Sequence, residues 1–230
     1  MGTTMQAIAV KELPALFSDR LKRETRGERA AAESTTYFRL LMAGALEPRE
    51  YAALLAQLHA VYTELERAAE ALRWHPVVAP FAGTGPSRVV ALDDDLQALL
   101  GPSWQRRTPI IGATRAYCDR IREATAWPGG FIAHHYVRHL GDLSGGLLIG
   151  DTVSKIYGFT GAGTSFYLLP AGDDGRELKQ DYRRLLDAAP LGPREQDRII
   201  YEARTALRHN TAVSTALGQW VARAPVAAAA

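Results

Sequence analysis

The chain has 230 residues, 47% of them hydrophobic and 23% charged, which allows one globular domain with a sizeable core, or at most two. A net charge of +2 argues against a nucleic-acid partner, and the single cysteine, Cys118, excludes both an internal disulfide and a thiolate zinc or iron–sulfur site within the chain. No apolar run approaches the roughly 18 residues that a membrane helix needs, and Met1–Val10 lacks the marks of a signal peptide, so no membrane partner and a reducing cytoplasm are expected.

Nearly every segment reads as helix. Residues 1–12 read as a disordered lead-in, after which Pro14 opens a helix carrying Leu16, Phe17 and Leu21. Tyr37, Leu40 and Leu41 form a second apolar phase that stops near Gly44. After Pro48, Tyr51, Leu54, Leu55, Leu58, Tyr62 and Leu65 recur at three- and four-residue steps, predicting an amphipathic helix that ends near Trp74-His75-Pro76. Residues 76–87 read as a loop, then 89–100 and 109–126 as two helices, with Asp93-Asp94-Asp95 suited to the start of the former. Pro128-Gly129-Gly130 is expected to break the chain before a long apolar helix, Phe131 to Phe159. A loop over 158–175 has room for one extended piece, Ser165–Leu169, and helices over 176–188 and 193–220 follow. The expectation is one all-α domain over 13–222 with about eight helices and a flexible tail at 223–230.

The anomaly is His139-Leu140-Gly141-Asp142-Leu143-Ser144-Gly145-Gly146. Each glycine weakens a helix interior by about 1 kcal/mol relative to alanine. A helix that keeps three within six positions needs bare backbone, either for a close helix crossing or for a flat ligand. Helical spacing puts His134, Arg138, Gly141 and Gly145 on one line, and His135, His139, Asp142 and Gly146 on the next. The His135/His139 pair does not make a zincin motif, because Tyr136 stands where that motif has glutamate.

The run Ile132 to Gly146 resembles the kinked distal helix of the heme oxygenase family. Leu21-Lys22-Arg23-Glu24-Thr25 with Glu33 resembles its proximal helix, Leu178 to Arg183 its propionate-binding segment, and Glu202 to Ala206 with Asn210 its last helix. The pieces occur in the family's order and span about residues 13–220. The resemblance implies an all-α domain holding heme between proximal and distal helices. It also implies oxidative cleavage of heme b, both substrate and cofactor, to biliverdin, carbon monoxide and iron. On that basis Gly141, Gly145 and Gly146 would bring backbone against the porphyrin, and Asp142, with Arg138 and His139, would hold distal water for proton delivery. Lys22, Lys179 and Arg183 would pair with propionates, with Thr25, Tyr136 and Asn210 completing the binding set.

The resemblance breaks at one position. The family's axial histidine falls on Arg29, four residues after Thr25, and Glu33 follows. Arginine stays protonated and has no lone pair for iron. No histidine occurs before His59, which with His139 stands at a family tyrosine position and is expected in the distal network. Three readings follow: heme held without a proximal imidazole, with water or a distal histidine on iron; an Arg29–Glu33 pair in a pocket for heme or bilin in a non-enzymatic member; or an unrelated helical interaction protein. Arg20, Lys22, Arg23, Arg26 and Arg29 make the early helix basic, either as a solvated face or as a dock for an electron donor such as ferredoxin, flavodoxin or a reductase. Cys118 reads as core, and the four tryptophans as core or rim packing.

Overall fold

The structure is a computed structural model that describes residues 16–83, 87–169 and 174–223. The expected N-terminal lead-in, the opening at Pro14 and the tail beyond Arg223 lie outside the described residues. The described residues form α1 (Phe17–Glu24), α2 (Arg26–Glu33), α3 (Thr36–Met42), α4 (Pro48–Ala71), α5 (Ala79–Ala82), α6 (Arg88–Leu100), α7 (Trp104–Arg107), α8 (Gly112–Ala124), α9 (Pro128–Gly141), a π-turn (Asp142–Gly146), α10 (Leu147–Tyr157), a 3-10 turn (Ser165–Tyr167), α11 (Gly175–Ala188) and α12 (Pro193–Arg223). No strand occurs among them, as the all-α reading expects. None of their helices is long and apolar enough to cross a membrane.

Two long helices organise the core. Along α4, Tyr51, Leu55, Tyr62 and Leu65 are buried with Leu58 partly so, and the helix packs on α6 and α8. Its start is fixed by the Glu47 amide donating to Glu50 Oε2 at 2.8 Å. Helix α12 packs on α9, α2, α8 and α3, which brings the early and central segments to one bundle. Each fully buried leucine or phenylalanine in it, such as Leu21, Leu41 or Phe131, stabilises the fold by about 1.5–3 kcal/mol.

The structure departs from the sequence expectations at definite points. The first helix divides at Thr25, whose buried hydroxyl donates to the Leu21 carbonyl at 2.8 Å and competes with the helical pattern. Pro128-Gly129-Gly130 does not break the chain; it forms the first turn of α9. A Cβ on Gly130 would collide with the Ala124 carbonyl, so that glycine serves a close chain approach. Asp95 does not start α6, which opens at Ser87, where the hydroxyl accepts from the Val90 amide. Instead the buried Asp95 carboxylate accepts from the amides of Gly163, Ser165 and Phe166, each at 2.9 Å. Those three bonds curl the segment expected to be extended into a 3-10 turn. Trp104 is buried as expected, but Trp74 is 83% exposed.

The long apolar helix is also interrupted. At Asp142–Gly146 the ladder widens, and the Leu147 amide reaches back five residues to the Asp142 carbonyl. π-Turns of this kind cost hydrogen-bond quality and gather at functional sites.

Candidate functional site

The glycines sort into two groups. A Cβ added at Gly141 or Gly145 meets nothing within 4 Å, whereas one at Gly150 would lie 2.5 Å from Tyr167 Cβ and one at Gly146 would touch both Tyr167 and Asp142 at 3.4 Å. The sequence offered a close crossing or a bare face; Gly150 makes a crossing, and Gly141 and Gly145 leave backbone bare. Gly146 and Gly150 seat the 3-10 turn, and Gly141 and Gly145 open onto a cavity of about 240 Å³.

That cavity lies between the π-turn and residues of α2, α3, α4 and α12. Leu54, Leu58, Val61, Ile149, Leu207 and Val213 supply apolar walls. Asp142 lies at its polar end. Arg138 Nη2 donates to Asp142 Oδ1 at 3.0 Å, and the Tyr62 hydroxyl donates to Oδ2. The Arg138 guanidinium also sits 5.3 Å from the Tyr62 ring centroid and donates to Asn210 Oδ1 at 3.4 Å. Burial pushes the Asp142 carboxyl well above the usual carboxylate range, and it lowers Arg138. Both carboxyl oxygens of Asp142 therefore have a donor, one from Arg138 and one from Tyr62. Nearby, the Tyr117 hydroxyl and Arg138 Nε are buried without a protein partner. Such atoms are satisfied by ordered water or by a ligand that carries it.

Arg29 lines the cavity wall, with its Nη2 3.4 Å from the Tyr136 hydroxyl. The expected alternative of an Arg29–Glu33 ion pair is not formed: among the described residues Arg29 has no carboxylate partner, because its side chain extends to Tyr136 on α9. The described lining of the cavity contains no histidine, cysteine or methionine. The three distal histidines point elsewhere. His134 is buried against Glu202, donating to Oε1 at 3.0 Å. Burial alone would raise Glu202, but its bonds to His134 and to Arg120 hold it at about 2. His135 Nδ1 meets the Tyr182 hydroxyl at 2.9 Å, and His139 stacks on Tyr182 and His135 with ring centroids 5.0 and 5.1 Å apart. Burial depresses these two imidazoles to about 3 and about 4. His59 packs edge-on against Trp104. The distal network therefore gains neither His59 nor His139 on its glycine side.

Other expected residues distribute as follows. Gly146 and Asn210 line the cavity, as does Glu33. Thr25 does not, since its hydroxyl bonds its own helix. Lys22 is exposed, Lys179 and Arg183 are half-buried, and none of the three has an ion-pair partner among the described residues. Helix α11, which carries Lys179 and Arg183, packs on both α1 and the π-turn, so these cations lie on elements that border the site. Tyr62, Tyr117 and Tyr167 were missed as site residues. Their apolar bodies follow the core pattern, which hides the polar tip that matters. Cys118 is buried and its thiol is pushed up to about 11, consistent with core.

An apolar slot with bare glycine backbone in its wall and a buried Arg–Asp pair in its lining has the make-up of a small-molecule pocket. The chain belongs to the heme oxygenase family, whose model matches residues 15–216. It is 29% identical to heme oxygenase 1 of Synechocystis over 195 residues, covering 84% of this chain and 81% of that one. It is 32% identical to rat heme oxygenase 1 over 198 residues, covering 84% and 68%. In three dimensions it matches Synechocystis heme oxygenase-2, solved in complex with heme and NO, with a TM-score of 0.85 at 30% identity over 90% of this chain and 87% of that one. Leptospira interrogans heme oxygenase matches with a TM-score of 0.83 at 31% identity, covering 88% and 100%.

Proposed function

We propose that this chain is a heme oxygenase that cleaves heme oxidatively to biliverdin, carbon monoxide and iron, using O₂ and electrons from an external donor. The observation that carries this reading is the pairing of an open glycine wall at Gly141 and Gly145 with the buried Arg138–Asp142–Tyr62 cluster. A plain tetrapyrrole binder needs the slot, but has no use for a buried carboxyl held ready to move protons.

The residues fit the porphyrin and its acid groups. Gly141, Gly145 and Gly146 would let backbone approach the ring, and the apolar walls would exclude bulk water. Lys22, Lys179 and Arg183 would neutralise the propionates, with Tyr136 and Asn210 adding polar contacts and Thr25 supporting its helix. Bound heme supplies the redox-active iron and the carbon skeleton that is oxidised. Asp142 would hold water by its carboxyl oxygens and pass protons to the site, while Arg138 fixes its orientation. The residues do not fit an axial imidazole: Arg29 cannot ligate, and the lining has no substitute nitrogen or sulfur ligand. Heme would therefore be held by its acid groups and apolar contact, with no histidine available from the cavity lining. The exposed Lys22 and the neighbouring basic positions suit an acidic donor of the ferredoxin or flavodoxin type, or a reductase.

The test is a hemin titration followed in the visible spectrum. A strong Soret band that decays into biliverdin absorption when a reductase, ferredoxin and reductant are added is expected. A stable Soret band with no bilin would overturn the enzyme reading in favour of a binder, and no band at all would overturn both.

A further inference from the structure

A second and larger cavity, about 450 Å³, lies on the other side of the distal helix, and only Arg138 and Asp142 line both spaces. Most of the charged groups in its lining are already committed. Glu66 accepts from the Ser87 hydroxyl and from the Arg88 and Val89 amides, which fixes it at the start of α6. Glu70 is paired with Arg73, and Arg138 with Asp142. Three groups are left over. Arg88 is half-buried; its guanidinium donates to the Phe166 carbonyl at 2.9 Å and has no ion-pair partner among the described residues. His139 stacks on His135 and Tyr182, and among the described residues neither of its ring nitrogens has a hydrogen-bond partner. His135 offers Nε2. The hydroxyl of the buried Tyr182 has one hydrogen-bond partner among the described residues, His135 Nδ1 at 2.9 Å, so the phenol donates there and the ring hydrogen sits on Nε2. None of these free ring nitrogens is sealed inside protein.

We infer that this cavity is a second binding site, separate from the glycine-walled one, for an organic molecule that carries a carboxylate on an apolar body. A cation drawn partly out of water is costly unless an anion comes to it, and burial already works against the charge on Arg88. Glu66 acts on Arg88 through space, but its oxygens are taken up by the α6 donors. A planar carboxylate matches the free edge of a guanidinium and accepts well from an imidazole N–H. His139 lies close enough to Arg88 to feel its charge, so both donors serve one region of the cavity. The two imidazoles stay neutral by burial, and each contributes one N–H. A metal cation fits less well: Arg73, Arg88 and Arg138 share the lining, and no third histidine, cysteine or carboxylate completes a ligand set among the described residues. The apolar body has its own surface in Leu65, Ala69 and Ala82, with the exposed Trp74 indole at the rim. This site goes beyond the heme reading and does not depend on it.

The test is calorimetric titration of the full chain with 2-naphthoate at neutral pH, beside two controls: 2-naphthylmethanol, which has the body without the charge, and acetate, which has the charge without the body. One naphthoate per chain is expected to bind, with either control weaker by roughly tenfold or more. Arg88→Met keeps the stem and the backbone amide that Glu66 uses; it is expected to lose the same factor for naphthoate and to leave the alcohol unchanged. Should that variant not fold, His139→Phe keeps a ring to stack on Tyr182 and removes the nitrogens, with an expected loss of roughly fivefold. Hemin-loaded protein is expected to bind naphthoate as ligand-free protein does, because the two cavities share only Arg138 and Asp142. Equal affinity for naphthoate and the alcohol, displacement of naphthoate by hemin, indifference to the folded variant, or no saturable binding at millimolar naphthoate would each overturn the site. Failure of the parent protein to bind hemin would sink the proposed function and leave the naphthoate result on ligand-free protein standing.

Discussion

Gly145 and Gly150 stand on the same interrupted helix, yet alanine at each is expected to act in opposite directions. A methyl at Gly145 meets nothing within 4 Å, and the residue does not have a positive φ. Gly145→Ala therefore adds no clash and removes backbone freedom from the unfolded chain, a gain of about 0.5–1 kcal/mol. For a chain of this length that raises the melting temperature of the ligand-free protein by roughly 1–4 °C. A methyl at Gly150 would sit 2.5 Å from Tyr167 Cβ and 3.1 Å from its ring carbon, both anchored by the turn that Asp95 holds. Gly150→Ala should cost about 1–3 kcal/mol by overpacking. Hemin titration should separate the pair the other way: Gly145→Ala loses roughly tenfold or more in affinity because the methyl stands on the ligand's face, whereas Gly150→Ala, studied below its own melting temperature, keeps affinity. Ligand-free Gly145→Ala melting below the parent would mean that the residue packs against protein. The glycine wall would then not be a ligand surface.

Three further outcomes are expected. Arg29→His should place an imidazole where the family has its ligand, tightening hemin binding and shifting the spectrum to that of a histidine-ligated heme; an unaltered spectrum would show that Arg29 does not lie beside the iron. Asp142→Ala should keep the Soret band and lose biliverdin formation by roughly 10²–10⁴-fold in rate, and equal turnover would refute the proton role. The pH dependence of stability follows from His135 and His139, whose folded values lie at about 3 and about 4 against 6.5. A depressed imidazole contributes its full stabilisation above pH 6.5 and loses it as pH falls toward the folded value. At about pH 5 each neutral ring forfeits at most about 2 kcal/mol, so urea midpoints should fall steadily below about pH 6.5. Because the raised Asp142 carboxyl acts with the opposite sign, the check is the double variant His135→Phe/His139→Phe: a slope between about pH 7 and pH 5 that it leaves unchanged would mean that the rings are not held neutral.

Much of the architecture was legible in the chain itself. The stripe from Tyr51 to Leu65 could only bury as a helix, and Pro48 could only sit in its first turn. The glycine run declared a helix that needs bare backbone, because nothing else justifies so many weak helix formers in one place. The resemblance marked Arg29 as the place of the family's axial histidine, and arginine's chemistry rules out ligation there. Direction in space was not legible. Spacing put His139 and Asp142 on one line, but His139 stacks on Tyr182 and His135 and stays out of the glycine-walled cavity that Asp142 lines. Spacing also made Glu33 a natural partner for Arg29, one turn away, yet the side chain reaches Tyr136, 107 residues distant in sequence. Periodicity reports which face of a helix is apolar, and in that way this chain's sequence indicated most of its helices, whereas the absent histidine at Arg29 came from the family resemblance. Which glycine faces open space and which meets Tyr167, and which donors reach Asp142, depend on contacts between distant segments, and only the tertiary structure decides those.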